Sequence, residues 1–214
     1  MKRFIVVTDD QRTPEWHQAR VGKFTGTCAA DMLATIKSGE AAARRDLRAR
    51  LVAERLSGIG QEDGYVSKDM QRGADLEPDA IAEYELVTDT MIAPVGFIQH
   101  PELPVGCSLD GQVNDFEGIV EVKCPKTATH IGYLRSGKVP SGYMPQITHN
   151  LWVSGAKWCD FISYDPRLPK GGRLFLRRVL ASDVDLAAYE LTLRLFLNEV
   201  DREAEEVARL MVAA

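Results

Sequence analysis

The spacing of apolar residues divides this chain into stretches of different period. The first reads as helical. Thr13-Pro14-Glu15-Trp16 is a capping residue followed by proline at the first helical position. Thr27 to Ile36 keeps helical apolar spacing. Ala41 to Leu56 is rich in alanine, arginine and leucine until Gly58 and Gly60 end it. A further helix is predicted from about Ala74 to Leu86, with Pro78 in a first turn whose amides lack partners in any case. Glu77 shares a stripe there with Ile81 and Tyr84, which turns its carboxylate toward the core side. The pattern then changes to short β-branched runs. They predict strands at Met91 to Ile98, about Val105 to Leu109, and Ile119 to Cys124. Helices at Thr127 to Leu134 and Pro145 to Ser154 follow, then strands at Trp158 to Tyr164 and Arg173 to Leu180. Ser182 with Asp185 resembles a capping box before a long amphipathic helix reaching about Met211. No repeat or linker interrupts the pattern, which describes a single domain over residues 1–214.

One segment stands out, Gly118-Ile119-Val120-Glu121-Val122-Lys123-Cys124-Pro125. A strand sends alternate residues to opposite faces, so Ile119, Glu121 and Lys123 share one side. Burying a carboxylate and an ammonium from a rigid strand is expensive unless something compensates. Upstream, Cys107-Ser108-Leu109-Asp110-Gly111 sets a second carboxylate at a strand end. Two structural explanations compete with chemistry: a buried Glu121–Lys123 ion pair, and a turn aspartate before Gly111. The agreement of strand, spacing and a facing Glu77 favours chemistry. Cleavage of a phosphodiester requires an attacking hydroxide, charge neutralisation and help for the leaving oxygen, all of which magnesium held by carboxylates supplies. Magnesium takes only one or two protein carboxylates and keeps several waters. Asp110 and Glu121 suffice as a minimal site, with the Val122 carbonyl as an extra ligand and Glu77 as a third carboxylate. Lys123 would position or help deprotonate the water, or stabilise the transition state. Gln146 opens the helix after this strand and is suited to a water or a phosphate oxygen, unless it is merely a polar helix-start residue. His130 and His149 belong to no recognisable motif and read as ordinary surface or satisfied histidines.

Composition modifies this picture in three places. The net charge of −5 argues on its face against a nucleic-acid partner, but it says nothing about distribution. Arg44, Arg45, Arg48, Arg50 and Arg55 crowd one segment, either as a solvated helix face or as a basic surface. Cys28, Cys107, Cys124 and Cys159 are scattered in apolar contexts without zinc or iron–sulfur spacing, and read as reduced buried thiols. No window is apolar for the length of a membrane span, and Met1 to Val7 stops being apolar too soon for a signal peptide. A cytoplasmic protein is expected.

The Asp…Glu-x-Lys pattern resembles the PD-(D/E)xK nuclease superfamily. A longer series of motifs is more specific. Glu15-Trp16-His17-Gln18-Ala19-Arg20-Val21-Gly22, Arg72-Gly73 with Glu77, the two carboxylate segments, Tyr143-Met144-Pro145-Gln146 and Tyr164-Asp165-Pro166-Arg167 occur in the order found in the phage lambda exonuclease family. The resemblance covers nearly the whole chain. It implies an α/β (mixed α+β) fold: a central mixed β-sheet flanked by helices, a restriction-endonuclease-like core with a helical N-terminal part and a long C-terminal helix. It implies metal ligation by Asp110 and Glu121 supported by Glu77, with Lys123 and Gln146 around the attacking water. Arg20 matches a position that binds the 5′-phosphate of DNA, Thr27 and Ser108 match hydroxyl positions near it, and Trp16 matches an aromatic of that pocket. Thr129 stands where a close family member has arginine, with Lys126 as the substitute contact. The family further implies Mg2+, with Mn2+ substituting, and double-stranded DNA ends as substrate. It also implies a homotrimer ring and a single-strand annealing protein as partner; the acidic net charge fits such a ring better if basic residues such as the Arg44 to Arg55 segment converge on its channel. The expected activity is a 5′→3′ exonuclease of a phage or prophage recombination system that leaves 3′ single-stranded overhangs. The rivals are an endonuclease on the same core and a catalytically silent DNA-binding or assembly module.

Overall fold

A computed structural model describes residues 4–8, 10–61 and 67–213. Strand β1 (Ile5–Thr8) precedes helix α1 (Pro14–Arg20), a 3-10 turn (Gly26–Cys28) running into the single-turn helix α2 (Ala29–Met32), then α3 (Ala42–Ser57) and α4 (Lys68–Thr88). Strands β2 (Phe97–Gln99), β3 (Gly106–Ser108), β4 (Gly111–Val113) and β5 (Gly118–Lys123) come next. The chain continues as α5 (Thr127–Ser136), α6 (Met144–Ser154), β6 (Trp158–Tyr164), β7 (Leu174–Leu180) and α7 (Leu186–Ala213).

The strands form two sheets. One is mixed and four-stranded, in the order β4-β5-β6-β7; the other is antiparallel, in the order β1-β2-β3. Strand β5 lies inside the larger sheet, antiparallel to β4 and parallel to β6, with Glu121 opposite Phe161 and Lys123 opposite Ser163. Alternation along the strands sorts the two faces. Ile119, Cys159, Phe161, Phe175 and Val179 join the main core with Ile147 and Leu151 of α6 and Leu193, Phe196 and Val200 of α7. Val120, Val122, Ile162 and Tyr164 meet Ala80 and Tyr84 of α4 on the other side. The sheet is thus covered on both faces, and this is the mixed α/β fold the sequence implies.

Several local expectations are corrected. Helix α4 begins at Lys68, where the Ser67 hydroxyl accepts the Met70 N–H at 3.1 Å, so Pro78 and Glu77 lie in its middle and not in its first turn. An interior proline costs about 3 kcal/mol, which contacts at both ends of the helix offset. Met91 to Ile98 is not one strand, because Pro94 cannot donate to a ladder; Ala93 makes an isolated bridge to Gln112, and pairing resumes at Phe97. Thr27 to Ile36 is a 3-10 turn and one helical turn only, ending before the β-branched Thr35-Ile36 pair. Strands β1 and β4 are too short to show a period. The cap of α7 is Asp185, whose Oδ1 accepts the Ala188 N–H at 2.9 Å.

The arginine run of α3 is turned against α7. Arg44 pairs with Glu40 and Glu199, Arg48 with Glu40 and Glu203, and Arg55 with Asp201. These three guanidinium groups neutralise acids of the same chain, whereas Arg45 is exposed beside Asp46. Among the described residues no helix is long and apolar enough to cross a membrane. The four cysteines are free thiols.

His130 and His149 are both fully buried and bonded at both ring nitrogens, so they are satisfied histidines and not surface ones. His149 donates from Nε2 to the Gly106 carbonyl at 3.0 Å and shares a 2.7 Å bond between Nδ1 and the Tyr189 hydroxyl. Burial lowers its pKa to about 4. The unfolded chain therefore binds the extra proton first, and stability falls as the pH drops from about 6.5 toward about 4. Between pH 7 and pH 5 this residue alone removes about 2 kcal/mol of unfolding free energy. Urea unfolding at the two pH values checks it: His149→Gln is expected to flatten the pH dependence by that amount, and an unchanged dependence refutes the assignment.

Candidate active site

Strand alternation carries Glu121 into the core at 1% exposure. A bare carboxylate is not tolerated there, and three donors meet it. Lys123 Nζ pairs with Oε1, Gln146 Nε2–H donates to the same oxygen at 2.7 Å, and Asn150 Nδ2–H donates to Oε2 at 3.2 Å. Gln146 and Asn150 are one turn apart on α6, so a single helix face supplies both amides. Lys123 also lies over the Tyr143 ring, 5.4 Å from its centroid. Asp110 sits in the link from β3 to β4, and its Oδ2 accepts the Val122 N–H at 2.6 Å, which pins it to β5 beside Glu121. Val122 thus meets Asp110 through its amide; its carbonyl is the atom the sequence reading assigned to a metal.

The electrostatics favour an added cation. Burial pushes the Glu121 carboxyl up to about 7; Lys123 opposes the rise, and Asp110 and Glu77 add to it. Burial likewise raises Asp110 against the pull of Lys123 and the Val122 N–H. Burial works to lower Lys123, but Glu121 and Asp110 outweigh it and hold the ammonium protonated. Two buried carboxylates with one lysine between them gain from a divalent ion, and Mg2+ needs no more than one or two such ligands. The donor set therefore fits that ion.

Glu77 is placed differently from the expectation. It lines the cleft with Arg12, Lys123, Cys124, Pro125 and Tyr143, half-buried, and Arg12 Nη2–H donates to its Oε2 at 3.2 Å. Burial raises its pKa, and the charge of Asp110 raises it further. Glu77 therefore stands in the cleft near enough to Asp110 and Glu121 for the three charges to act on one another.

The second group of expected residues assembles around Ser108. The Trp16 indole N–H donates to Ser108 Oγ at 2.9 Å and Arg20 Nη1–H donates to it at 3.0 Å, with the Arg20 guanidinium 4.3 Å from the Trp16 ring centroid. Beside them lies a cavity of about 370 Å³ lined by His17, Arg20, Lys23, Thr25, Arg50 and Glu54, the last two 3.7 Å apart. Thr25 lines this cavity, and Thr27 Oγ1 lies 3.2 Å from Thr25 Oγ1. Ser108 and Asp110 are two residues apart, about 6.6 Å along an extended chain. The basic cavity and the carboxylate pair therefore share one piece of backbone. Lys126 is apart from both. It is exposed at the start of α5 and pairs with Asp69 at 2.8 Å.

Asn150 and Arg12 escaped the sequence reading, and Arg72, noted there only as part of a motif, acquires a role. Asn150 was detectable in principle, four residues after Gln146 on the same helical face. Arg72 donates to the Cys124 and Pro125 carbonyls at 2.9 and 3.0 Å and so fixes the loop that leaves β5. Arg12 gave no signal, because only the fold brings it to Glu77.

The YqaJ-like viral recombinase domain matches residues 15–157. The structure of an alkaline exonuclease, LHK-Exo, from Laribacter hongkongensis superposes with a TM-score of 0.84 at 37% identity, covering 94% of this chain and 99% of that one. Its complex with dAMP gives 0.85 at the same identity and coverage. A phage-related exonuclease from Haemophilus somnus 129PT, 13% identical, covers 88% of this chain and 96% of its own with a TM-score of 0.66, which shows a shared fold. No curated protein matches the chain. With the recombinase domain spanning well over half of its length and an exonuclease of common fold matching it nearly end to end, this chain belongs to the YqaJ-like viral recombinases, within the lambda exonuclease-like family, and is a nuclease.

Proposed function

We propose that this nuclease is a Mg2+-dependent 5′→3′ exonuclease that degrades one strand of linear duplex DNA from a 5′-phosphorylated end and leaves a 3′ single-stranded overhang. The observation that carries this reading is the shared backbone of Ser108 and Asp110. A terminal phosphate held by Arg20 and the Ser108 hydroxyl sets the next phosphodiester along the strand near Asp110 and Glu121. Arg20 contributes a planar fork suited to a phosphate, and Lys23 and Arg50 add positive charge to the same cavity. Trp16 stiffens Arg20 by lying against it. The dAMP complex of the Laribacter enzyme supports a mononucleotide as the product that leaves such a site.

Asp110 and Glu121 would hold the ion, with the Val122 carbonyl, and Mn2+ would substitute because it accepts the same oxygen donors. When bound, Mg2+ supplies Lewis-acid polarisation of the phosphate and acidifies water. The protonated Lys123 stands ready to donate to the developing negative charge on phosphorus, and the Gln146 amide orients a water beside Glu121. Glu77, paired with Arg12, keeps a further carboxylate at the mouth of the cleft. Lys126 would have to leave Asp69 to reach a phosphate. A ring of three copies around duplex DNA, acting beside a single-strand annealing protein, is the assembly that fits this activity, since a closed ring retains its substrate without tight contacts. The bases lining it must come from elsewhere than the Arg44 and Arg48 pairs.

Asp110→Asn and Glu121→Gln are each expected to lower cleavage at least about 100-fold, since even residues supporting metal ligands cost that much. Metal-free duplex binding should persist, because phosphate contacts supply most affinity. Gel assays and fluorescence anisotropy measure both, and near-wild-type cleavage by either variant refutes the ligand assignment. Arg20→Ala is expected to erase most of the preference for a 5′-phosphate over a 5′-hydroxyl, about 10- to 100-fold for one charge-assisted contact. Arg20→Lys should restore only part of it. Equal digestion of both ends by the wild type, or rapid cutting of a closed circle, would falsify the end-directed reading in favour of an endonuclease.

A further inference from the structure

Two amides of α6 hold Glu121, and the more deeply buried one leaves a polar atom without a partner. Asn150 is 1% exposed, donates from Nδ2 to Glu121 Oε2, and leaves its Oδ1 buried with no hydrogen-bond partner among the described residues. Such a group is costly and calls for an explanation. Turning the amide round does not help, because Oδ1 and Glu121 Oε2 would then face each other as two acceptors. The orphan oxygen lies instead against Gly26, at the start of the 3-10 turn. A Cβ on Gly26 would stand 2.5 Å from Asn150 Oδ1 and 3.3 Å from Gln146 Cγ. No real side chain fits at the first distance. A side chain at residue 26 would therefore meet the Asn150 amide and the Gln146 side-chain stem together, on the turn that carries the Thr25 and Thr27 hydroxyls.

We propose that Asn150 is a positioning residue for Glu121, and that Gly26 is the gap that admits it. The inference rests on the nuclease reading of Asp110 and Glu121. Lys123 and Gln146 both engage Oε1, whereas Asn150 engages Oε2. A carboxylate held at one oxygen swings about its terminal torsion, which is broad. Held at both, it presents a fixed plane toward Asp110. The unpaired Oδ1 is the consequence of using the amide for this purpose in a place where the facing residue is glycine. A methyl group at position 26 would push Asn150 off Oε2 and press on Gln146 at the same time, so the orientation of Glu121 depends on the absence of a side chain there.

The test uses the full chain with Asn150→Ala, Gly26→Ala and the double substitution. Binding of Mn2+ alone is followed by electron paramagnetic resonance, duplex binding without metal by anisotropy, and cleavage by single turnover. Asn150→Ala should weaken Mn2+ binding and slow single turnover, each about 10- to 100-fold, the range for residues that orient a metal ligand. Gly26→Ala should move both in the same direction. The double variant should be no worse than the poorer single one, because both changes act at one contact. Metal-free duplex binding should stay at the wild-type level throughout. Wild-type Mn2+ affinity and turnover in Asn150→Ala overturn the inference and leave the nuclease reading standing, as does a double variant whose losses multiply. Loss of metal-free duplex binding in both single variants would mean a general structural role and also overturns it. A wild-type chain that neither binds Mn2+ nor cuts duplex DNA overturns the nuclease reading itself.

Discussion

The rest of the molecule is arranged around a carboxylate that has been taken out of water. Glu121 sits at 1% exposure in the second strand of the main sheet, where an uncompensated charge would cost several kcal/mol. Compensation comes from the strand itself through Lys123 and from α6 through Gln146 and Asn150. Each source imposes a condition. Strand β5 must be paired on both sides so that Glu121 and Lys123 stay on one face. Helix α6 must cross close enough for two amides to reach, which leaves room only for glycine where it meets the turn at Gly26. The opposite face of β5 must then be covered by α4, or Val120 and Val122 would lie in water.

Asp110 extends the same logic to the second carboxylate. Its bond from the Val122 amide fixes it by the backbone, and the chain just before it ends in Ser108, the acceptor for Arg20 and Trp16. Recognition and reaction groups thus share a rigid segment. A movement of β3 shifts both together, so the spacing between a bound end and the carboxylates is built into covalent geometry and does not depend on a mobile loop. Arg72 adds a restraint on the far side by holding the two carbonyls that follow β5.

Charge is organised by location and not by total. The chain carries five more acids than bases, yet the cavity beside Ser108 gathers Arg20, Lys23 and Arg50. Acids are concentrated on α7, where Glu199, Asp201 and Glu203 engage the arginines of α3 and join two helices that also share apolar contacts. Those ion pairs are partly exposed and contribute modestly to stability. Their larger effect is to occupy Arg44, Arg48 and Arg55, while Arg50 of the same helix faces the cavity beside Ser108.

By itself the sequence determined what is local or periodic. Alternation in Gly118 to Lys123 placed Glu121 and Lys123 on one face, the turn residues Asp110-Gly111 located the second carboxylate, and the order of motifs identified the family. These are legible because period and local chemistry do not depend on distant neighbours. Tertiary structure decided everything that rests on contact between remote segments. Arg12 reaches Glu77 across 65 residues, the α3 arginines turn to α7 across about 150, and Lys126 is taken by Asp69. Ser67 caps the start of α4 and puts Pro78 and Glu77 in mid-helix, because packing of Ala80 and Tyr84 against the sheet, more than the cap, offsets the cost of an interior proline. Asn150 and Gly26 show the division most clearly. Each residue type is ordinary where it stands in the chain, and only the close crossing of α6 over the 3-10 turn makes an amide and a missing side chain complementary.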